Sequence, residues 1–389
     1  MSQLLESRWS ETKEALLEGL QGNKRTVMAT TLENTRKYLA ESATAGATSA
    51  GNVATLNRVI LPVIRRVMPT VIANELVGVQ PMTGPVGQIH TLRVRYADSF
   101  NSTSGTDITA GDEALSPFKI AEGYSGAAND KAASTAALEG VAGNRLSIQI
   151  LKQTVEAKTR KLSARWTFEA AQDAQAQQGI DIEAEIMAAL AQEITAEIDQ
   201  EVIGSLNSLA GTVLTYDQNS VSGTATFVGD EHAALAVQIN RASNLIAQRT
   251  RRGAGNYAVV SPTTLTLLQS ATTSAFARTT EGTFEAPTNT KFVGTLNSAM
   301  KVYVNGYATT DNVLVGYKGS SESDAAAFYC PYIPLMSSGV VLDPSTFEPV
   351  VSFMTRYGYV ELTNTASSLG NAADYLGTVA VTTANLKFA

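Results

Sequence analysis

Cysteine and histidine are almost missing from this chain: Cys330, His90 and His232 are the complete set in 389 residues. A single cysteine excludes a disulfide framework within the chain. Three such ligands in all leave no set for a Cys/His metal cage, and any Ser-His-Asp or Cys-His machinery would have to use one of two histidines. No phosphate-cradling G-x-x-x-x-G-K-[ST] loop occurs, nor a G-x-G-x-x-G between strand and helix. The reading is therefore not an enzyme, and no cofactor is expected.

Long apolar runs are also lacking. The best candidate, around Val59 to Ile64, contains Pro62 and runs into Arg65 and Arg66, far short of the roughly 20 residues of a membrane span. Glu6, Glu11, Glu14 and Glu18 interrupt any signal-peptide core, so the chain is expected in a cytosol-like compartment, away from membranes. Cationic surplus is absent too: 29 Lys and Arg stand against 36 Asp and Glu, a net charge of -7. Such a surface does not coat DNA, although an acidic wall can enclose DNA without adhering to it.

What is present is a 44% hydrophobic composition, ample for real cores, in a length that suits about two or three domains. Leu5, Trp9, Thr12, Leu16 and Leu20 fall on one helical stripe near the N-terminus. A stripe so short is not stable alone, which predicts packing on a partner or another copy. A second polar helix is predicted from Thr30 to Glu41, followed by SATAGATSAGN, residues 42–52, as a small-residue linker. Residues 56–76 show helical spacing cut by Pro62 and Pro69.

QIHTLRVRY at 88–96 alternates as a two-sided strand does, so His90 reads as a strand-face side chain. Residues 97–147 are poor in Leu, Ile and Val. A polar stretch that long suits the tip of a projecting hairpin arm better than the interior of a compact domain, and the alternating run at 155–169 brings the chain back.

The strongest helix signal is the ladder Ile182, Ile186, Leu190, Ile194, Ile198, Val202 and Leu206, with Glu183, Glu193, Glu197 and Glu201 on other faces. A helix over 181–209 would be on the order of 40 Å long at 1.5 Å per residue. Without a Glu-x-x-His, its carboxylates read as a solvated face rather than a di-metal set.

Further on, a helix is predicted over 231–252, with Arg249, Arg251 and Arg252 complementing its dipole and Gly253 ending it. Tyr257 to Val260 reads as a buried strand. Ser261 and Pro262 start the next helix, and residues 272–290 read as a loop. Strand-like runs follow at 301–308, 312–319, 326–335 and 348–362. Strands and helices in this irregular order predict α+β rather than a doubly wound sheet.

Several long, unusual stretches carry a resemblance: ELVGVQPMTGPVGQIHTLRVRY (75–96), VEAKTRKLSARWTFEAAQDAQAQQGIDIEAEI (155–186), VYVNGYATTDNVLVGYKG (302–319), and FYCPYIPL with DPSTFEPVVSFMTRYG within 328–358. Through them the chain resembles the major capsid proteins of T-even-type tailed bacteriophages over most of residues 50–362. The resemblance implies the α+β Hong Kong 97 type shell fold. Its parts would be a propeptide or scaffold-like segment at 1–41, an N-terminal arm at 42–87 and an extended hairpin arm at 88–165 with its tip at 97–147. A peripheral domain at 166–211 and 326–389 would contain the spine helix 181–209, and an axial domain would fill 212–325.

The resemblance further implies a homo-oligomer. Hexameric and pentameric capsomers would close into an icosahedral or elongated head around double-stranded DNA, without sequence-specific binding. The expected partners are a prohead protease, a scaffold, a portal and decoration proteins, and the expected locations are the virion capsid and, during assembly, the host bacterial cytoplasm. An encapsulin-like nanocompartment and a tail-sheath protein stand as alternatives. Family members are trimmed after Glu in a Leu/Ile-x-Glu pattern. Leu4-Leu5-Glu6, Leu16-Leu17-Glu18 and Leu39-Ala40-Glu41 all fit, and position beside the linker favours a cut between Glu41 and Ser42; an uncut chain is the alternative. Arg65, Arg66, Arg93, Arg95 and Arg356 are candidate inter-subunit ion pairs, or else exposed charges worth under about 1 kcal/mol each.

Overall fold

A computed structural model describes residues 9–10, 13–14, 16–17, 20–44, 72–99, 108–112 and 114 of the N-terminal third. It further describes 135–139, 143–178, 181–221, 228–271, 276–278, 291–297, 299–362 and 372–386. Its main helices are α1 (Gly22–Thr44), α2 (Ala73–Leu76), α3 (Phe168–Gln178), α4 (Ile182–Leu209), α5 (Val228–Thr250) and α6 (Pro262–Ser270). The strands before α5 are β1 (Gly78–Val79), β2 (Val86–Tyr96), β3 (Leu146–Glu156), β4 (Lys158–Arg165) and β5 (Thr212–Tyr216). After it come β6 (Tyr257–Val260), β7 (Phe276–Arg278), β8 (Lys291–Leu296), β9 (Met300–Val304) and β10 (Asn312–Gly316), then β11 (Ala327–Leu342), β12 (Pro349–Glu361) and β13 (Leu376–Val381). Helices and strands coexist in one irregular order, so the α+β expectation holds.

The chain divides into two units, each discontinuous in sequence. Unit 1 is residues 1–87, 155–204 and 328–360; unit 2 is 88–154, 205–327 and 361–389.

Unit 1 is organised by a four-stranded sheet in the order β1-β11-β12-β4. β12 alternates strictly over its first nine residues: Val351, Phe353, Thr355 and Tyr357 are buried and the residues between them half-buried. Its antiparallel register with β4 sets Phe353 opposite Leu162 and Thr355 opposite Arg160, which puts one apolar face on one side of the sheet. α4 supplies the ladder. Leu190, Ile194, Ile198 and Val202 are buried, while Ile182 and Ile186 of the first turns are half-buried. Asp181 caps the helix, its Oδ1 accepting the Glu183 amide at 3.1 Å, and Glu183 and Glu185 complement the dipole.

The N-terminal stripe finds its cover within unit 1. Leu16 and Leu17 are buried, and Glu33 of α1 accepts from Trp9 Nε1 at 3.4 Å and pairs with Lys13 at 3.3 Å. Leu5 and Thr12 lie outside the described residues. α1 also begins earlier and ends later than the sequence suggested, passing through Glu41 and Ser42 to Thr44. Ser42-Ala43-Thr44 holds no helix breaker, the first being Gly46. The remainder of the expected linker and the segment 56–71 lie outside the described residues.

Unit 2 contains the seven-stranded sheet β5-β13-β10-β6-β9-β8-β7. Leu235, Ile239 and Ile246 of α5 and Leu267 and Leu268 of α6 form one core with Ala258, Val260, Val302, Val313, Val315 and Val379. Ser261 caps α6 as its sequence predicts, accepting the Thr264 amide at 3.2 Å ahead of Pro262.

Three placements differ from the sequence reading. The resemblance places β13 with 326–389 in the peripheral domain, yet β13 pairs parallel with β5, Gly377 opposite Thr212, and antiparallel with β10. The resemblance places β4 in the arm, whereas β4 belongs to the four-stranded sheet. The stretch read as a loop at 272–290 includes β7. For β13 and β4 a partner strand is remote in sequence, and tertiary pairing decides; β7 pairs with the next strand, β8.

Gly316 faces Tyr257 across the β10–β6 pair, and a Cβ there would lie 2.2 Å from the phenol ring. Gly316→Ala is expected to destabilise unit 2 by about 1–3 kcal/mol through overpacking, read as a lowered urea midpoint at unchanged slope.

Candidate assembly surfaces

Unit 1 holds a polar network on the ladder face of its sheet. Arg160 of β4 forks to two carboxylates one turn apart on α4: Glu197, and Glu201 at 2.5 Å. Tyr357 of β12 donates to the same Glu201, and its ring lies 5.7 Å below the Arg160 guanidinium. Burial, then the bond to Glu201, lifts the Tyr357 phenol above its ordinary value. Between those two carboxylates along α4, Asp199 is almost wholly buried and accepts the Ile72 backbone amide at 2.9 Å. Its Oδ2 has no hydrogen-bond partner among the described residues. Burial raises the Asp199 carboxyl to about 7, against the pull of the Ile72 amide. The network ties β4, β12 and the chain entering α2 to α4.

The β2–β3 ribbon is a two-stranded sheet. Its end next to the expected tip is fixed by Arg145, which donates from its backbone to Asp98 at 2.8 Å and from its guanidinium at 3.0 and 3.2 Å. The Arg145 side chain holds the Asp98 carboxyl below its ordinary value. Leu146, Ile148 and Ile150 project from one face of β3 at 50%, 69% and 67% exposure. Two strands alone are marginal in water, and three bare aliphatics in a row call for a cover.

A second apolar group lies at the β11–β12 turn in unit 1, where Val340, Val341, Leu342 and Phe347 are exposed. Phe347 takes a left-handed φ of 59°. The turn is held by its amide donating to the Asp343 carbonyl at 2.8 Å and by the Asp343 amide donating to Glu348 at 2.9 Å. Its ring lies 6.1 Å from that of Phe168.

The residues singled out from sequence are scattered. Arg65 and Arg66 lie outside the described residues, as does the side chain of Arg93 in β2. Arg95 is half-buried in β2 of unit 2. Arg356 is half-buried in β12 of unit 1 with its guanidinium 5.3 Å over the ring of Tyr332, a contact within its own unit. Glu41 and Ser42 lie in the last turn of α1. Arg160 and Asp199 were not singled out, although the i,i+4 spacing of Glu197 and Glu201 opposite a strand bearing Arg160 is a readable signal.

Among the described residues no group of three or more His, Cys, Asp or Glu could hold a metal ion, and no helix is long and apolar enough to cross a membrane. Cys330 is buried, which pushes its thiol up to about 11. His232 bonds Ser270 Oγ through Nδ1 at 2.6 Å, and burial holds its imidazole below its usual range.

Comparison with known proteins gives a family described as major capsid protein Gp23, matching residues 53–381. The major capsid protein of Vibrio phage KVP40 is 30% identical over 84% of this chain and 80% of its own length. That of Enterobacteria phage T4 is 31% identical over 82% and 78%. Among solved structures, the capsid of Myoviridae phage XM1 aligns at a TM-score of 0.44 and 9% identity over 80% of this chain and 92% of that one. A chain from Microbacterium phage Oxtober96 aligns at 0.47 and 11% over 80% and 90%.

Proposed function

The chain belongs to the major capsid protein Gp23 family, and from that premise we propose how it builds its shell. The protein is a major capsid protein of a tailed phage with the Hong Kong 97 type α+β fold. It is a shell-forming structural protein of the virion rather than an enzyme. The match over residues 53–381 is the observation that carries this reading. It favours a phage head over a nanocompartment or a tail sheath.

In the finer reading, α4 is the spine helix of a peripheral domain centred on the four-stranded sheet. The seven-stranded sheet with β13 is the axial domain, and β2–β3 is the extended arm. Copies meet around axes in heterologous contacts that close into hexamers and pentamers. The bare face of β3 and the exposed β11–β12 turn are the apolar surfaces those contacts cover. Much of the subunit's stability then belongs to the assembly. The net charge of -7 suits an enclosure that does not grip its double-stranded DNA. Assembly takes place in the host cytoplasm with a scaffold, a portal and a prohead protease, and decoration proteins add outside contacts. Arg65, Arg66, Arg93 and Arg95 remain candidates for ion pairs between copies, and Arg356 joins them through whatever its guanidinium presents beyond Tyr332. The protease cuts between Glu41 and Ser42.

Electron microscopy of the purified assembly, with intact mass on the same sample, tests the reading. Closed shells whose subunit begins at Ser42 are the expected result. Closed shells at full mass remove the cleavage, tubes indicate a sheath, and small oligomers that never close overturn the capsid.

A further inference from the structure

We propose that docking of α1 on unit 1 controls when the bond between Glu41 and Ser42 can be cut; this rests on the processing reading above. A protease binds its substrate as an extended strand spanning several residues on each side of the bond. Here that bond is helical, in the last turn of α1. Cutting therefore requires α1 to unwind from its C-terminal end back toward the turn that holds Asn34.

That turn is anchored. Asn34 is buried, and its Nδ2 donates to the Met82 carbonyl at 2.5 Å and to the Tyr332 carbonyl at 3.1 Å. Asn23 Nδ2 donates to the Val79 carbonyl at 3.4 Å, and Lys24 pairs with Glu75 at 3.1 Å. Val27, Met28, Thr31 and Leu32 are buried along the same side. All of these partners belong to unit 1.

The helix's own sequence stabilises it only weakly. Its first turn has no acid and its last turn no base, so the dipole is uncompensated at both ends. Thr26, Thr30, Thr31, Asn34 and Thr35 are weak helix formers. A segment of 23 residues with this composition is marginal by itself in water. Its helicity comes from docking, so undocking and unwinding form one cooperative opening. The contacts reach β1, the residues just after it and β11, so the scissile bond is released only when that part of unit 1 lets α1 go.

The test uses the full-length chain with a Glu-specific endoprotease as probe, cutting followed by intact mass. When opening is fast, the cutting rate reports the open population. Asn34→Ala leaves the Met82 and Tyr332 carbonyls without that donor and is expected to speed cutting at Glu41 at least tenfold. Arg25→Ala, on the exposed side of α1, should leave the rate within twofold. Hydrogen exchange on the unaltered chain gives a readout independent of any variant's folding. Amides at 38–42 should exchange as slowly as those at 27–34. Equal cutting of Asn34→Ala and the unaltered chain, or rapid exchange at 38–42 beside protected 27–34, overturns the proposal. Failure of the processing reading has a separate signature: residues 1–41 retained in mature particles, with the cutting and exchange results unchanged.

Discussion

Replacing Ile148 with aspartate is expected to leave the chain folded and to abolish shell formation. In the isolated chain Ile148 is one of the most exposed aliphatic side chains described, so exchanging it costs unit 2 little. In the proposed shell the same face is covered. Each copy then loses about 1.5–3 kcal/mol of apolar burial and must bury an unpaired carboxylate, which costs several kcal/mol more. A closed shell repeats that loss at every subunit, and no ring escapes it. Light scattering and electron microscopy should show no particles, while far-ultraviolet circular dichroism stays unchanged. Gln149 points to the other face of β3, and Gln149→Glu should still assemble. Normal shells from Ile148→Asp would remove the β3 face from the contacts between copies.

Replacing Asp199 with asparagine is expected to stabilise unit 1 at pH 8 and to change little at pH 4. The carboxyl titrates near 7 in the fold against an ordinary 3.8. Between those values the folded chain holds a proton that the unfolded chain has released, so stability falls as pH rises through the window. Above pH 7 the buried charge costs up to about 4 kcal/mol. The Ile72 amide is the group that favours the charge, and burial outweighs it. Asparagine keeps an oxygen for the Ile72 amide but puts an NH2 where Oδ2 lacks a partner, which trims the gain to about 2–3 kcal/mol. Urea unfolding of the unassembled chain at pH 4, 6 and 8 measures it. A variant less stable than the parent at pH 8 would mean that the ionised carboxylate holds Ile72 more strongly than burial penalises it.

Much of the architecture was legible in sequence because it is written in local periodicity. The ladder from Leu190 to Val202 repeats every four residues and is buried at each step. The run from Pro349 to Tyr357 alternates in burial as it does in sequence, and the Ser261-Pro262 start carries its own capping chemistry. Pairing across the chain was not legible. Nothing near Leu376 announces that Gly377 lies opposite Thr212, since that register is fixed by a sheet built from five other segments. The candidate arginines were chosen by charge, and charge does not reveal direction: Arg356 turns onto Tyr332 of its own unit. Asp199 was hidden for the opposite reason. An acid on a helix rich in acids reads as solvated, and only the packed fold shows that this one is not.

The division of the chain has a consequence for its synthesis. Unit 1 needs residues 1–87, 155–204 and 328–360 together, and β1 has no strand to pair with until β11 emerges, Gly78 meeting Phe328. A ribosome has therefore made most of the polypeptide before unit 1 can close its sheet, and the early segments must wait without misjoining. Pairings so distant also make for slow folding. The same order acts as a proofreading step. A nascent chain released after α4 but before β11 lacks two of the four strands of the unit 1 sheet, so an interrupted translation product of that kind is expected to fail as a subunit rather than enter a growing lattice.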